Sequence, residues 1–289
     1  MKIAIASGKG GTGKTTVAVN LYHTIAKFYK QKVSLVDCDV EEPNVALFFP
    51  ERIIVEQKPV ELPVPKIDVG KCTFCRKCVE YCEFNAITVI PPLCHAEIAT
   101  DLCHSCGACL HACKFDAIAE FSHEIGTMTR FDLKSGRGLT EGRLKVGSVL
   151  QTPVIRKIKK ASNNYGNIII YDAPPGTSCS VVSTISDTDF VILVTEPTPF
   201  GLHDLKLAVS LVRALNVPFG VVINKAGMGN DAVERFLEGE SIMTIEKIPF
   251  DKEIARLYSG NEMLAETFPE YEKHFIKIFE KINKILNPS

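Results

Sequence analysis

The segment around which this 289-residue chain is organised is Ser7-Gly8-Lys9-Gly10-Gly11-Thr12-Gly13-Lys14-Thr15-Thr16. It follows a short apolar run, Ile3-Ala4-Ile5-Ala6, and opens a segment whose apolar residues recur at helical spacing. The pattern G-x-x-x-x-G-K-[ST] is satisfied, with a strand predicted before it and a helix after it. An ordinary glycine turn between strand and helix would not explain Lys14 followed by two threonines.

The chemistry of this loop is specific for phosphate. Its glycines let the backbone curl with its N–H groups inward, and the helix start adds the positive end of a dipole. Lys14 can reach the β- and γ-phosphates, and the Thr15 hydroxyl can bind Mg²⁺. The loop therefore predicts a nucleotide site formed by Gly8, Lys9, Gly10, Gly11, Thr12, Gly13, Lys14, Thr15 and Thr16.

Size and charge restrict the function classes. The chain is 46% hydrophobic, enough for one large core plus a smaller module. Its net charge of −1 provides no global field to attract nucleic acid or anionic lipid, so neither partner is expected. We see no signal peptide and no apolar run near the ~18 residues of a membrane span. A cytoplasmic location is the expectation.

Two buried strands are predicted to end in carboxylates. Residues 32–39 run into Asp37 and Asp39, and residues 167–172 run into Asp172. Apolar strands that alternate with helical patterns indicate an α/β fold with a parallel sheet covered on both faces. Ligands of such sheets bind at the carboxyl ends of the strands. Asp172 is expected to hold Mg²⁺ through water, since Mg²⁺ keeps most of its hydration shell.

Nine of the eleven cysteines fall between Cys72 and Cys113. The spacing C-x₂-C-x₂-C-x₃-C occurs twice there, and the two halves are followed by Phe-Asn-Ala-Ile and Phe-Asp-Ala-Ile. In a chain without secretory features such cysteines are more often metal ligands than disulfides. The repeat predicts a duplicated metal-binding module.

The octapeptide KGGTGKTT of residues 9–16 resembles the deviant Walker A motif of the MinD/ParA/nitrogenase iron protein ATPases. That resemblance implies a doubly wound, mostly parallel sheet, ATP and Mg²⁺ as ligands, and an ATP-dependent sandwich homodimer in which Lys9 acts in trans. It further implies that the catalytic residues are Lys9, Lys14 and Asp39. Mg²⁺ would be bound by Thr15, Asp37 and Asp172. The nucleotide would be contacted by Gly176 at the γ-phosphate, by Asn224 at the adenine and by Pro249 near the base. The alternatives are a solvated loop charge for Lys9 and, for Asp39, the N-cap of a helix beginning at Val40.

The duplicated cysteine motif resembles the bacterial two-cluster ferredoxin fold. The resemblance implies two [4Fe–4S] clusters, each held by three cysteines of one half and the fourth of the other. One set would be Cys72, Cys75, Cys78 and Cys113, and the other Cys103, Cys106, Cys109 and Cys82. Zinc or a degraded site is the alternative. The usual proline after each fourth cysteine is replaced by Glu83 and Lys114.

Two cysteines beyond these sets have weaker signals. Cys94, beside His95, is interpreted as a spare thiol of the connecting loop. Cys179 follows Asp172 by seven residues. A switch II cysteine of the nitrogenase iron protein ligates a bridging cluster, but a buried thiol is the preferred interpretation of Cys179.

These patterns predict two domains. Residues 1–56 and 123–289 are expected to form the MinD-like ATPase, and residues 57–122 a small inserted α+β ferredoxin-like domain. Pro59, Pro63 and Pro65 indicate a linker over residues 57–68. The amphipathic helix predicted over residues 268–286 is expected to pack on the sheet, the alternative being membrane binding as in MinD.

The leading functional hypothesis is an ATP-hydrolysing iron–sulfur protein that couples hydrolysis to electron transfer, with a redox or cluster-acceptor protein as partner. The alternative is a cluster assembly or carrier ATPase similar to the Mrp/ApbC carriers. Those have a C-x-x-C near the C-terminal part of the ATPase, and this chain has none there. A MinD-like positioning switch is the third class.

Overall fold

Strands and helices alternate along the chain in the computed structural model, which describes residues 1–29, 31–133, 138–163 and 166–287. The strands are β1 Lys2–Ala6, β2 Val33–Asp37, β3 Ile53–Ile67, β4 Ile87–Ile90, β5 His95–Ile98, β6 Ile118–Asp132, β7 Gly138–Leu144, β8 Ile168–Asp172, β9 Phe190–Thr195, β10 Phe219–Ala226 and β11 Thr244–Pro249. The helices are α1 Lys14–Phe28, α2 Lys77–Glu80, α3 Ala108–Ala112, α4 Gln151–Ser162, α5 Cys179–Ile185, α6 Pro199–Ala214, α7 Ala232–Gly239, α8 Lys252–Ser259, α9 Leu264–Thr267 and α10 Pro269–Leu286.

A nine-stranded sheet organises the fold, with the strand order β11-β10-β9-β1-β8-β2-β7-β6-β3. The pairs from β11 through to β7 are all parallel. Register places Asp172 beside both Ile5 and Asp37, so the ends of β1, β2 and β8 meet at one edge. The predicted α/β fold with a large, mostly parallel sheet is confirmed.

Apolar strands explain why this sheet is buried. Every residue of β2, β8 and β9 is buried, as expected for parallel strands covered by helices. Helix α10 presents Phe275, Ile278, Phe279 and Ile282 to the same core as α1, and each is at most 1% exposed. The amphipathic face of α10 therefore packs in the protein core. None of the described helices is sufficiently long and apolar to pass through a membrane.

The prediction of a linker over residues 57–68 is wrong. Most of this stretch belongs to β3, which includes Pro59, Pro63 and Pro65. Since β3 is the last strand in the sheet order, it needs hydrogen-bond donors along one side only. Prolines are tolerated on such an edge strand because a missing N–H can face away from the neighbour.

The chain forms two compact units. The first comprises residues 1–57, 128–143 and 155–289, and the second comprises residues 58–127 and 144–154. Residues 144–154 lie outside the predicted insert of residues 57–122. The division of functions between the two parts of the chain stays a prediction.

The second unit repeats its own backbone. Strands β4 and β5 form an antiparallel hairpin between the two cysteine motifs, and α2 and α3 each contain the third cysteine of a motif. Left-handed residues recur at a constant separation in the two halves: Phe74 and Ser105 (φ 55° and 53°), Arg76 and Gly107 (63° and 74°), and Asn85 and Asp116 (52° and 48°). The duplication in the sequence is thus also a duplication of local conformation.

Candidate functional site

The glycine-rich loop forms the bend between β1 and α1. Gly11 and Gly13 have φ of 79° and 92°, a left-handed conformation that favours glycine. A Cβ on Gly13 would lie 2.2 Å from Nδ2 of Asn224, so any side chain there would clash. At Gly11 a Cβ would meet nothing within 4 Å, so the backbone is open on that side. Helix α1 begins directly at Lys14, with its positive end next to the loop.

A cavity of about 440 Å³ lies at the carboxyl ends of the strands, within the size range of small-molecule sites. Among the predicted site residues, its lining includes Gly10, Gly11, Gly13, Lys14, Thr15, Thr16, Asp39, Asn224 and Pro249. Predicted residues outside the lining are Gly8, Lys9, Thr12, Asp37, Asp172 and Gly176. The cavity is also lined by residues that were not among the predicted site residues: Glu42, Asn44, Pro175, Lys225, Phe250, Asp251 and Ile254.

Thr15 and Asp172 form the part of the site that fits a divalent cation. The Thr15 hydroxyl donates a 2.6 Å hydrogen bond to Oδ2 of Asp172. Oδ1 of Asp172 is buried and has no partner within the described chain, and the same holds for Oγ1 of Thr12. Burial raises the pKa of Asp172 to about 6, although the charge of Lys14 opposes the rise. An unsatisfied buried carboxylate oxygen beside a hydroxyl suits Mg²⁺ or its bound water.

Asp37 is fully buried and anchors the segment that follows β2. One of its oxygens accepts the backbone N–H of Asp39 at 3.1 Å, and the other accepts those of Asn44 and Val45 at 2.9 and 3.0 Å. Burial raises its pKa well above the ordinary value, and the charge of Asp172 adds to the rise. Asp37 therefore shapes the loop at the cavity, and its role toward Mg²⁺ stays a prediction.

Asp39 lies on the cavity wall. Burial raises the pKa of its carboxyl group, and the charge of Lys14 works in the opposite direction. No described helix begins at Val40, and the first helical turn after β2 is a 3-10 turn at Val45–Phe48 with Asn44 at its N-cap. The N-cap alternative for Asp39 does not agree with this structure, and its catalytic role remains a prediction.

Two groups assigned to the nucleotide by resemblance bind the glycine-rich segment instead. The Gly176 N–H donates to the Ser7 carbonyl at 3.1 Å. The side-chain amide of Asn224 donates to the Thr12 carbonyl at 2.8 Å. Gly176 would have to exchange this hydrogen bond to reach a phosphate, whereas the Asn224 amide oxygen remains an acceptor for a base.

Glu196 is a site residue that sequence reasoning missed. Its carboxylate binds Lys9 Nζ at 2.5 Å and Lys225 Nζ at 3.0 Å, and Lys225 also donates to the Gly11 carbonyl. Burial alone would raise the pKa of Glu196, but the two lysines outweigh it and keep the pKa below its ordinary value. Lys9 is therefore ion-paired, not a solvated charge. Glu196 directly follows β9, and the rule for carboxyl ends of strands could have found it.

Neutralising Glu196 should strengthen nucleotide binding. In a Glu196→Gln variant the two lysine charges beside the phosphate loop would no longer be compensated, so ADP should bind about two- to fivefold tighter. The affinity should also fall more steeply with salt, because the added attraction is electrostatic. Calorimetric titration measures both effects. Glu240→Gln, which breaks the ion pair of Glu240 with Arg213, is the matched control. Unchanged or weaker binding in Glu196→Gln would contradict the prediction.

The cysteines of the second unit surround two cavities. Cys72, Cys75, Cys78 and Cys113 line the first, and Cys82, Cys103, Cys106 and Cys109 line the second. Each cavity thus receives three cysteines from one half of the duplication and one from the other. Cys94 lies in neither lining: it is exposed, at the end of the short turn that joins β4 to β5.

The thiols around these cavities are free. None of the eleven cysteines, all within the described chain, forms a disulfide. Burial raises the pKa of Cys109 to about 11 and also raises the pKa of Cys78 and Cys103. In the described residues no three His, Cys, Asp or Glu side chains converge to hold a single metal ion. One tetrahedral ion requires four sulfurs about 2.3 Å from one point, whereas a cluster of several irons requires a wider arrangement.

The interpretation of Cys179 as a buried thiol is wrong, because this residue is exposed at the first position of α5. The sequence provided no signal for this exposure, since Ser178 and Ser180 on either side suit both environments.

A comparison with known families identifies a nucleotide-binding family that fits the glycine-rich loop and the cavity beside it. The family described as the CobQ/CobB/MinD/ParA nucleotide binding domain matches residues 3–264. The chain belongs to this family. An uncharacterized protein of Methanocaldococcus jannaschii is 32% identical to this CobQ/CobB/MinD/ParA member, over 99% of the chain and 98% of that protein.

Two further similar proteins have names that state a function. An iron-sulfur cluster carrier protein of Pyrococcus abyssi is 27% identical to this CobQ/CobB/MinD/ParA member, over 98% of the chain and 86% of the carrier. The septum site-determining protein MinD of Pyrococcus horikoshii, solved in complex with Mg-ADP, superposes with a TM-score of 0.59. That alignment covers 100% of this chain and 99% of MinD at 20% identity, and it therefore shows a shared fold.

Proposed function

We propose that this chain is an ATP-hydrolysing iron–sulfur protein that handles [4Fe–4S] clusters and works as a nucleotide-dependent homodimer. Residues 1–56 and 123–289 would form the ATPase, and residues 57–122 would hold two clusters. The observation that carries the proposal is the sorting of eight cysteines into two cavities of four, in a chain that also contains a glycine-rich nucleotide loop.

The nucleotide half is supported by the geometry of the large cavity. Lys14 and the N–H groups of residues 10–14 would bind the phosphates, while Thr15 and Asp172 would hold Mg²⁺. Asp39 lies on the wall where it could orient an attacking water. Catalysis of phosphoryl transfer rests mainly on such positioning and charge stabilisation. Lys9 would reach the nucleotide of a second copy after leaving Glu196.

The cysteine half is supported by the donor set. Each cavity provides four thiols and no competing carboxylate ligand, which suits soft iron–sulfur clusters. A [4Fe–4S] cluster would supply one-electron redox chemistry if it stayed in the chain, or would be transferred to another protein if it were cargo. The chain supplies thiolate ligands and an apolar surround that includes Ile67, Val89, Ile87 and Ile98, which limits access of water to the site.

Cluster handling has more support than electron transfer. Two relatives that align over nearly the whole chain are named iron-sulfur cluster carrier proteins. Electron transfer remains a second candidate because each cavity offers a complete set of four thiols, as a permanently held cluster requires. The two functions differ in whether iron leaves the protein.

Transfer of labelled iron separates the two candidates. The chain would be loaded anaerobically with ⁵⁵Fe, freed of unbound metal and mixed with an apo-ferredoxin, with and without MgATP. A carrier should pass most of its label to the acceptor faster than free iron and sulfide do. If the label stays in place while MgATP accelerates oxidation of reduced clusters by an electron acceptor, electron transfer is the function. The Cys94→Ser variant, which leaves both cavities intact, is the control and should behave as the wild type.

A further inference from the structure

The two cysteine cavities differ in formal charge. Arg76 and Lys77 lie in the loop Cys72–Cys78, Lys71 directly precedes it, and Lys114 follows Cys113, the fourth residue of that set. The corresponding loop Cys103–Cys109 contains no lysine, arginine or carboxylate, and Glu83 follows Cys82 of the second set. The halves are alike in cysteine spacing but not in the charges they place near each site.

Two of the four basic residues near the first set of cysteines are compensated by ion pairs with carboxylates. Lys71 pairs with Asp68 at 3.9 Å, and Lys77 pairs with Glu80 at 2.8 Å. Both charges are thus locally compensated. Arg76 forms no ion pair with any carboxylate of the described chain, and it lines the first cavity. Lys114 also forms no ion pair within the described chain, but it does not line the cavity. Arg76 is therefore the uncompensated cation in the lining of the first cavity.

The backbone at Arg76 indicates that its side chain matters. Arg76 has φ 63°, and its counterpart in the other half, Gly107, has φ 74°. The left-handed conformation is unfavourable for a non-glycine residue, and glycine avoids this cost. The chain thus places an arginine where its own duplicate uses the less strained residue. Strain retained in this way points to a functional side chain.

We propose that Arg76 makes the two cluster sites electronically inequivalent, so that a cluster held by Cys72, Cys75, Cys78 and Cys113 is reduced in preference to one held by Cys82, Cys103, Cys106 and Cys109. This inference rests on the proposed function, since it assumes two clusters. Reduction adds one negative charge to a cluster, and a nearby guanidinium stabilises that charge. When an external one-electron donor supplies a single electron, that electron would reside mainly on a cluster at the first site, with no bond broken and no proton moved.

An exposed cation produces a moderate effect because solvent and salt screen it. The electron should favour the first site by about tenfold, which is about 59 mV for a one-electron couple. An EPR-monitored redox titration of the anaerobic full chain measures both midpoint potentials. Arg76→Gln should lower the higher potential and leave the other unchanged, whereas Arg76→Lys should keep the wild-type separation. Iron and sulfide content is measured for each variant to verify that both clusters assemble.

Equal midpoint potentials in the wild type would overturn the inference, as would an Arg76→Gln variant in which neither potential, or both equally, shifts. These results leave the proposed function intact. A wild-type chain purified without oxygen that contains no iron–sulfur cluster would remove the proposed function, and the inference with it. The two failures are therefore distinguishable in one set of samples.

Discussion

An Asp172→Asn variant should unfold at a higher temperature than the wild type and should hydrolyse ATP about 10²–10³-fold more slowly. Asp172 is 1% exposed, with one carboxylate oxygen unpartnered in the described chain and a second buried carboxylate, Asp37, beside it in the sheet. Removing one of two buried negative charges relieves desolvation and repulsion. The same charge is the proposed anchor of Mg²⁺, so catalysis should be lost as stability rises.

The pKa of Asp172 gives the sign and the pH range of this effect. Its pKa is 3.8 as an ordinary aspartate and about 6 in the folded chain. Between these values the folded state binds more protons than the unfolded state, so the free energy of unfolding falls as the pH rises from about 4 to about 6. The loss is on the order of 3 kcal/mol at neutral pH.

Thermal unfolding of the nucleotide-free chain at several pH values measures this prediction. Asp172→Asn should raise the midpoint by several degrees at pH 8 and by little near pH 4. Asp187→Asn is a control of opposite sign, because the pKa of Asp187 is held low by its contact with Lys159 despite the effect of burial. That variant should be less stable than the wild type at pH 8. Equal midpoints of Asp172→Asn and wild type at pH 8 would contradict the account of this site.

Replacing Cys113 by serine should remove one of two clusters and reduce the iron content from about eight to about four per chain. Cys113 belongs to the second motif in sequence but lines the cavity of Cys72, Cys75 and Cys78. Serine is a poor ligand for iron compared with a thiolate, so the first site should lose its cluster. The remaining cluster should keep the spectrum of the second site.

The pattern of variants tests the crossed assignment of ligands. Cys113→Ser and Cys72→Ser should affect the same EPR signal, and Cys82→Ser should affect the other one. Cys94→Ser, in the same unit but outside both cavities, should retain about eight irons. If Cys113→Ser instead removed the signal that Cys103→Ser removes, each motif would hold its own cluster and the assignment would be wrong.

The parts of the site that the sequence could predict are those fixed by chain topology. In a parallel sheet every strand delivers its last residues to one edge, and Asp39, Asn224 and Pro249 accordingly meet Lys14 at a single cavity. Cysteine spacing likewise predicts the three neighbouring thiols of each cavity in the second unit, and the resemblance to two-cluster ferredoxins implies the fourth, which comes from the other half. The convergence of the strand ends and the spacing of the cysteines can both be read from the order of residues along the chain.

Other features depend on long-range contacts that the sequence does not encode in any short pattern. The pairing of Glu196 with both Lys9 and Lys225 requires the ends of β9 and β10 to lie against the loop after β1. The extension of β3 across Pro59 depends on its place at the sheet edge, and a local pattern of prolines favours a linker instead. The exposure of Cys179 likewise follows from where α5 begins.

The presence of two iron–sulfur clusters is tested on the wild-type chain purified without oxygen. Iron, acid-labile sulfide and zinc are quantified in that preparation, and EPR spectra of the reduced protein are recorded. We expect about eight irons and eight sulfides per chain and EPR signals of two [4Fe–4S]⁺ clusters. Stoichiometric zinc, or cysteines joined to one another as disulfides in that preparation, would contradict it.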